Sequence, residues 1–300
     1  MIISASRRTD IPAFYTDWFM YRIQEGFFVR VNPMNLKQKK TFSLKPSDVD
    51  AIVFWTKNPR PLMEHLGSLT SMGYRYYFQY TLNDYPSLFE PCIPALDARI
   101  GCFKELCDCL EEERVIWRFD PIIYSSITPL AYLEDRFAHL AAELSGYTRR
   151  VMISFLDIYG KVKPRLRQLR DEYGVTVVDI TLPEHSENLL RLAKSLVEIA
   201  AANHMEVFTC SESIDLDSIG IKHGACIDQN LLERLFGLTL DVKKDKAQRP
   251  QCLCAEAVDM GFYNTCASGC IYCYANTSPK AVQNAIRSHV PTSPTLVGEF

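Results

Sequence analysis

Short apolar strands and amphipathic helices alternate along the first 210 residues of the chain. Alternation of this kind is typical of parallel βα units, in which helices cover strands that are buried on both faces. Six to eight such units favour a (β/α) barrel over an open sheet, and no glycine-rich dinucleotide-binding fingerprint follows the first strand. The sequence therefore predicts an α/β fold, a TIM-like (β/α) barrel of six to eight parallel strands. The predicted strands are residues 2–6, 27–32, 51–57, 74–82, 114–119, 150–157, 175–181 and 205–210.

The character of the sequence changes after Cys210, where cysteines, loops and short helices replace the alternation. We predict a barrel domain over residues 1–210 and a cysteine-rich, cluster-binding segment over residues 211–300 that packs on the barrel and caps its mouth. Within this segment, residues 274–289 are suited to form a helix. The last ten residues, PTSPTLVGEF, are expected to be poorly ordered.

The composition is that of a globular protein without an overall basic surface. Hydrophobic residues make up 47% and charged residues 23% of the 300-residue chain, so a substantial core can be buried. The formal net charge of −3 argues against a protein whose whole surface binds nucleic acid. No apolar run approaches the ~20 residues of a membrane span. We therefore expect a cytoplasmic protein with neither membrane nor nucleic-acid partners.

Eleven cysteines in a reducing compartment point to metal or redox chemistry, because stable disulfides are uncommon there. Cys266, Cys270 and Cys273 form a C-x3-C-x2-C arrangement, with Tyr272 directly before the last of them. Thiolates suit zinc, copper(I) and iron–sulfur clusters. A structural zinc site needs four protein ligands, whereas three thiolates on a four-iron cluster leave one iron open. The three cysteines, with no fourth nearby, favour the open cluster.

Four further cysteines occur along the last third of the chain: Cys210, Cys226, Cys252 and Cys254. Together they could close a second [4Fe–4S] cluster or a zinc site that has no open position. The long gaps between them are less diagnostic than the C-x3-C-x2-C spacing, and scattered buried thiols are an equally good interpretation. The sequence leaves both interpretations open.

Several predicted strands end in polar or charged side chains. The carboxyl ends of parallel barrel strands form one mouth, where active sites lie, so these side chains are expected to converge. Their cationic character favours an anionic or zwitterionic ligand, although any strand end that reaches solvent also becomes polar. The candidate catalytic residues at this mouth are Asp10, Arg118 and Asp120. The candidates for cofactor binding are Arg8, Lys57, Asn58 and Gln79.

The stretch CASGCIYCYA, residues 266–275, resembles the cysteine loop of the radical S-adenosylmethionine superfamily and is similar to that of spore photoproduct lyase. The resemblance implies that Cys266, Cys270 and Cys273 bind a [4Fe–4S] cluster whose fourth iron chelates S-adenosylmethionine. It also implies that Tyr272 lies near the adenine, and that reductive cleavage of the cofactor gives a 5′-deoxyadenosyl radical. In the superfamily the motif follows the first strand, whereas here a C-terminal loop would have to fold back over the barrel mouth.

The chain as a whole resembles the family defined by domain of unknown function 1848. Members of this family begin with S-x-S-R-R-T-D-I-P and end with a similar cysteine cluster. The matching pieces are SASRRTDIPAFY (4–15), FWTKNP (54–59), WRFDPI (117–122), CID (226–228) and the cysteine tail. This resemblance spans nearly the full chain and implies no particular reaction.

The sequence therefore predicts a radical S-adenosylmethionine enzyme that modifies a small molecule or peptide, with flavodoxin or ferredoxin as candidate electron donor. A non-catalytic binding or sensor protein with closed iron–sulfur or zinc sites would instead have a fourth protein ligand at each site. A metal-independent hydrolase using Asp120 and Asp157 would leave the C-terminal cysteines unexplained. A nucleic-acid repair enzyme similar to spore photoproduct lyase fits the cysteine loop but lacks an extended basic and aromatic surface.

Overall fold

The computed structural model describes residues 1–297, which form twelve β-strands and ten α-helices. The strands are β1 (Ile2–Ala5), β2 (Phe27–Asn32), β3 (Asn35–Ser43), β4 (Ala51–Thr56), β5 (Tyr76–Thr81), β6 (Val115–Ile122), β7 (Tyr124–Ser125), β8 (Arg150–Phe155), β9 (Val177–Val178), β10 (Glu206–Cys210), β11 (Lys222–Gly224) and β12 (Ala257–Asp259). The helices are α1 (Ile11–Phe14), α2 (Thr16–Glu25), α3 (Arg60–Met63), α4 (Leu66–Ser71), α5 (Leu96–Cys109), α6 (Leu130–Leu144), α7 (Lys163–Tyr173), α8 (Ser186–Ala202), α9 (Gln229–Phe236) and α10 (Pro279–Ser288).

Eight of the strands form one sheet in the order β11-β10-β8-β6-β5-β4-β1-β12. Every neighbouring pair in this sheet is parallel. The predicted α/β class and the predicted number of parallel strands are therefore confirmed. Within residues 1–297 no pairing joins β11 to β12, so closure into a barrel is not detected.

The sheet is buried on both faces, as the continuous apolar strands predict. Trp117 of β6 stacks on Phe137 of α6, with ring centroids 4.8 Å apart. On the opposite face, Ile116 joins a second apolar cluster that contains Leu231 and Leu232 of α9. Residues from the second half of the chain thus cover the face of the sheet that the βα helices leave open.

Helix α9 is fixed at its start by a carboxylate. Asp228 accepts a hydrogen bond from the backbone N–H of Leu231, which satisfies one of the free donors of the first turn. The same carboxylate pairs with Arg150 of β8 at 2.7 Å. This pair ties the N-terminus of α9 to the central sheet.

Two of the predicted strands do not belong to the parallel sheet. Strand β2 pairs antiparallel with β3 in a separate hairpin, because its side chains alternate between buried and solvent-facing positions. Of residues 175–181 only β9 is a strand, and it pairs antiparallel with β7. Strands β11 and β12, which the sequence did not predict, take their places at the two edges of the sheet.

The C-terminal tail is ordered where it is described, so the expectation of poor order is wrong for residues 291–297. The carbonyl of Pro294 accepts a hydrogen bond from the backbone N–H of Val29 at 2.8 Å. The indole of Trp18 donates to the carbonyl of Ser293 at 2.9 Å, and Leu296 is buried. The remaining part of that prediction, residues 298–300, lies outside the described residues.

The segment predicted as a separate cysteine-rich unit contributes β11 and β12 to the sheet. Of its predicted helix over residues 274–289, residues Pro279–Ser288 form α10, and residues 274–278 are not helical. No helix in residues 1–297 combines the length and the apolar character that crossing a membrane requires.

Candidate functional site

One cavity of about 380 Å³ lies at the carboxyl ends of the parallel strands. Its walls come from the ends of β1, β4, β5, β6, β8 and β10, and from residues between 248 and 275. The polar strand ends singled out in the sequence therefore share one opening with the cysteine-rich segment. Seven of the eleven thiols line this cavity: Cys210, Cys226, Cys252, Cys254, Cys266, Cys270 and Cys273.

The C-x3-C-x2-C loop is held by hydrogen bonds to its backbone carbonyls. The amide of Asn276 donates to the carbonyl of Cys266 at 2.8 Å. The guanidinium of Arg165, on α7, donates to the carbonyls of Cys270 and Cys273. None of the three thiols of the loop forms a disulfide, and all three line the cavity.

Burial sets the protonation of two of these thiols. It raises the pKa of the Cys266 thiol to about 11, and it raises the pKa of Cys270 as well, against the opposing effect of the Lys57 ammonium. Cys266 and Cys270 are therefore protonated at neutral pH. Binding a thiolate-ligated metal there would release protons.

The other four cavity thiols contact one another. The sulfur of Cys210 lies 2.8 Å from that of Cys226, and the thiols of Cys226 and Cys252 each hydrogen-bond with that of Cys254. All are free. Within residues 1–297, however, no group of three or more His, Cys, Asp or Glu side chains is already placed to hold a metal ion.

Asp10 connects the end of β1 to the end of β4. Its carboxylate accepts hydrogen bonds from the backbone N–H of Lys57 at 2.7 Å and from that of Ala13 at 3.1 Å, the latter capping α1. Burial raises the pKa of Asp10 to about 6, although these hydrogen bonds oppose the shift. Asp10 lines the cavity.

Lys57, Tyr272 and Glu90 form a buried network beside the cysteine loop. The ammonium of Lys57 lies 2.7 Å from Glu90 Oε1 and 5.8 Å from the centroid of the Tyr272 ring. The Tyr272 hydroxyl donates to the same carboxylate oxygen. Although burial disfavours its charged form, the Lys57 ammonium and these hydrogen bonds hold the pKa of Glu90 below its usual value.

Arg118 and Asp120 form a second charged pair on the cavity wall. Arg118 donates to Asp120 Oδ2 at 2.6 Å, and through Nη1 it reaches the Cys226 sulfur at 2.9 Å. The hydroxyl of Ser154 donates to the other oxygen of Asp120. Both predicted residues therefore line the cavity, and Arg118 connects it to the four contacting thiols.

The structure places two of the predicted cofactor-binding residues away from the cavity wall. Gln79 is fully buried, where it accepts from Arg118 and donates to the carbonyl of Cys226 at 2.9 Å. Asn58 accepts from the backbone N–H of Arg60 at the start of α3. Strand-end position alone did not distinguish these supporting side chains from those that line the cavity.

Arg8 lines the cavity from the end of β1 and pairs at 3.4 Å with Asp259, the last residue of β12 at the edge of the sheet. Asp259 also accepts from the hydroxyls of Ser4 and Ser6 and from the backbone N–H of Arg7. This single carboxylate thus organises the turn that carries Arg8.

Sequence reasoning missed Glu90, Arg165 and Asp259, each of which holds a residue of the site in place. Glu90 lies in a loop and Arg165 on a polar helix, so neither has a pattern that marks it. Asp259 had a weak signal, because it ends a short apolar run only seven residues before Cys266.

One comparison with known proteins matches most of the chain, and another finds no match. A search of curated proteins found no match. Residues 2–275, from the first strand of the sheet to the end of the cysteine loop, match the family described as domain of unknown function (DUF1848). The chain therefore belongs to the DUF1848 family.

Proposed function

We propose that the protein is a radical S-adenosylmethionine enzyme in which Cys266, Cys270 and Cys273 bind a [4Fe–4S] cluster. One observation carries the proposal: the three thiols of the C-x3-C-x2-C loop line the same cavity as the charged strand ends. We further propose that the cysteine-rich segment covers the carboxyl ends of the strands, since residues between 248 and 275 line the same cavity.

The donor chemistry of the loop, three thiols without disulfides, fits such a cluster. A four-iron cluster takes one thiolate on each iron that the protein ligates, so three free thiols leave one iron open. Arg165 and Asn276 hold the loop by its carbonyls and leave the thiols for ligation. When bound, the cluster would supply the electron that cleaves S-adenosylmethionine reductively to a 5′-deoxyadenosyl radical.

The cationic side chains of the cavity have different roles. Lys57 and Arg118 are already engaged by buried or half-buried carboxylates, with side-chain exposures of 14% and 6%. Arg8 is 31% exposed and its pairing with Asp259 is longer, at 3.4 Å. Arg8 is therefore the side chain best able to bind a carboxylate of cofactor or substrate, while Lys57 and Arg118 position their partners.

Asp10 and Asp120 supply acceptors at the same opening. An α-amino group or a substrate hydroxyl can donate to these carboxylates, which already orient the ends of β1 and β6. The cavity suits a small molecule or an extended peptide residue, and flavodoxin or ferredoxin would supply the electron. We also propose a cytoplasmic location, because a chain with eleven cysteines suited to metal binding fits a reducing compartment.

Anaerobic reconstitution with iron and sulfide, followed by electron paramagnetic resonance of the reduced protein, tests the proposal. S-adenosylmethionine is expected to change a cluster signal in the wild type, and 5′-deoxyadenosine is expected to form. Both effects should be lost in the variant Cys266→Ala, Cys270→Ala, Cys273→Ala. The matched control removes three thiols of α5, which lie outside the cavity: Cys102→Ala, Cys107→Ala, Cys109→Ala.

A cluster signal that S-adenosylmethionine leaves unchanged in the wild type would overturn the proposal. The protein would then be a binding or sensor protein with closed metal sites. Loss of the signal in the α5 control would show that thiol removal acts through folding and not through ligation.

A further inference from the structure

Four thiols from three separate parts of the chain meet on one wall of the cavity. Cys210 ends β10, Cys226 follows β11, and Cys252 and Cys254 lie in the connection between α9 and β12. Their sulfurs form a chain of contacts that runs from Cys210 to Cys226, then to Cys254 and then to Cys252. The first contact, between Cys210 and Cys226, is 2.8 Å long. None of the four forms a disulfide.

The backbone around these thiols is fixed by side chains of the central sheet. The carbonyl of Cys226 accepts from the Tyr77 hydroxyl at 2.5 Å and from the Gln79 amide at 2.9 Å. The backbone N–H of Ile227 donates to the sulfur of Cys254 at 3.4 Å. A thiol that merely fills apolar space, such as Cys107 on the core-facing side of α5, needs no such support.

Buried positive charge surrounds the same thiols. Arg118 reaches the Cys226 sulfur at 2.9 Å. Arg7 also lines the cavity, where its Nη1 pairs with Asp245 at 3.4 Å and its side chain hydrogen-bonds with Cys254, while its buried Nη2 has no hydrogen-bond partner among the described residues. Unpaired buried donors are costly, so this nitrogen favours further negative charge on the thiols beside it. Thiolates gathered on a metal carry such negative charge.

We propose that Cys210, Cys226, Cys252 and Cys254 hold a second metal centre, closed by four thiolates, on the cavity wall beside the C-x3-C-x2-C loop. Four thiolates suit zinc or an iron–sulfur cluster, and they leave no open position for an exogenous ligand. The sulfurs touch in a chain and do not surround one point, so metal entry would bring its two ends, Cys210 and Cys252, toward each other. The centre does not depend on the radical chemistry proposed above.

The test uses the full-length variant Cys266→Ala, Cys270→Ala, Cys273→Ala, in which only the second site remains. One arm reconstitutes it anaerobically with iron and sulfide, and the other adds zinc alone. Metal and sulfide content are measured after desalting, together with the visible absorption spectrum. We expect either about four iron and about four sulfide ions per chain or about one zinc ion per chain.

Two further sets of changes are made in the same background. Adding Cys210→Ala and Cys226→Ala is expected to abolish the bound metal, whereas adding Cys102→Ala and Cys107→Ala on α5 should leave it unchanged. Near-ultraviolet circular dichroism checks that each variant is folded. Removing two thiols could unfold this wall of the cavity. The single variant Cys252→Ser is therefore tested as well, and it should weaken metal binding at least tenfold.

A folded background variant that retains neither iron nor zinc would overturn the proposal. Metal content that persists in the Cys210→Ala, Cys226→Ala variant would overturn it as well. Failure of the proposed enzyme function appears elsewhere, as a wild-type signal that does not respond to S-adenosylmethionine.

Discussion

Glu90 shows how one side chain can hold two parts of a site together. Its carboxylate binds Lys57 at the end of β4 and Tyr272 in the cysteine loop, although these two residues are more than two hundred positions apart in the chain. Burial of a charged pair contributes little net stability, but removing one partner leaves the other charge uncompensated. The network therefore fixes geometry more than it adds free energy.

Glu90→Ala is expected to lower the free energy of unfolding by about 3–5 kcal/mol, because it leaves the Lys57 ammonium buried and unpaired. The double variant Lys57→Met, Glu90→Leu should lose much less, since it removes both charges and retains the volume. Urea denaturation of the wild type and the variants measures this difference. Equal losses in the single and double variants would contradict a charge-pairing role.

Asp10 should make stability depend on pH. Its folded pKa of about 6 lies above the ordinary value of 3.8 because of burial. The native state therefore holds this proton more tightly than the unfolded state does. The contribution of Asp10 to the free energy of unfolding is full below about pH 4 and is lost as the pH rises to about 6.

Relative to Asp10→Asn, the wild type should lose up to about 3 kcal/mol of unfolding free energy between about pH 4 and about pH 6. Above this range the difference between the two proteins should be constant. Urea denaturation at several pH values measures this difference. A difference in unfolding free energy that stays the same at every pH would show that the pKa of Asp10 is not shifted.

Much of the site could be predicted from single residues, but its supports could not. Arg8, Lys57, Arg118 and the cysteine loop were recognisable because strand ends and close thiol spacings are local patterns. Glu90 and Arg165 act through contacts with residues far away in sequence. Neither residue type nor local spacing distinguishes them from solvated charges, so only the packing reveals their role.

At the scale of elements, the join between β1 and β12 controls the turn that carries Arg7 and Arg8. Gly261 follows β12, and a Cβ atom there would lie 1.9 Å from Ser6 Oγ. That hydroxyl donates to Asp259 at 2.7 Å. The close approach of the two segments thus depends on the absence of a side chain at residue 261.

Gly261→Ala is expected to destabilise the protein by about 1–3 kcal/mol, because it overpacks a site that cannot expand easily. The control is Gly101→Ala in the middle of α5, where a Cβ meets no neighbour within 4 Å. That change should stabilise the helix by about 0.5–1 kcal/mol. Thermal unfolding of both variants measures the effects, and two shifts of the same sign would refute the close-approach argument.

The strands that the sequence predicted best are those buried on both faces, such as β4 and β6, whose apolar runs are continuous. Strand β2 misled the prediction because an alternating pattern suits a hairpin as well as a sheet edge. Strands β11 and β12 have three residues each, which is too short for any periodicity. Their position depends on the sheet that they join.

At the scale of the whole molecule, the central sheet combines early and late parts of the chain. Strand β1 lies between β4 and β12, so the first strand has a neighbour from the cysteine-rich segment. Helix α9 covers the face of the sheet that includes Tyr77 and Ile116. The predicted boundary at residue 210 thus crosses many contacts.

A chain ending at residue 210 is expected to unfold without a cooperative transition, because it exposes one edge of β1 and the apolar face under α9. Circular dichroism during urea denaturation compares this fragment with the full-length protein. A sharp transition in the fragment would instead support an independent barrel domain over residues 1–210.

The position of β1 also has a consequence for biosynthesis. A ribosome that has not yet reached residue 257 has supplied neither β12 nor the C-x3-C-x2-C loop, so one edge of β1 stays unpaired until those residues are made. The cavity is therefore assembled only after residue 273 has been translated. Any metal that the three loop thiols receive must be delivered after that point.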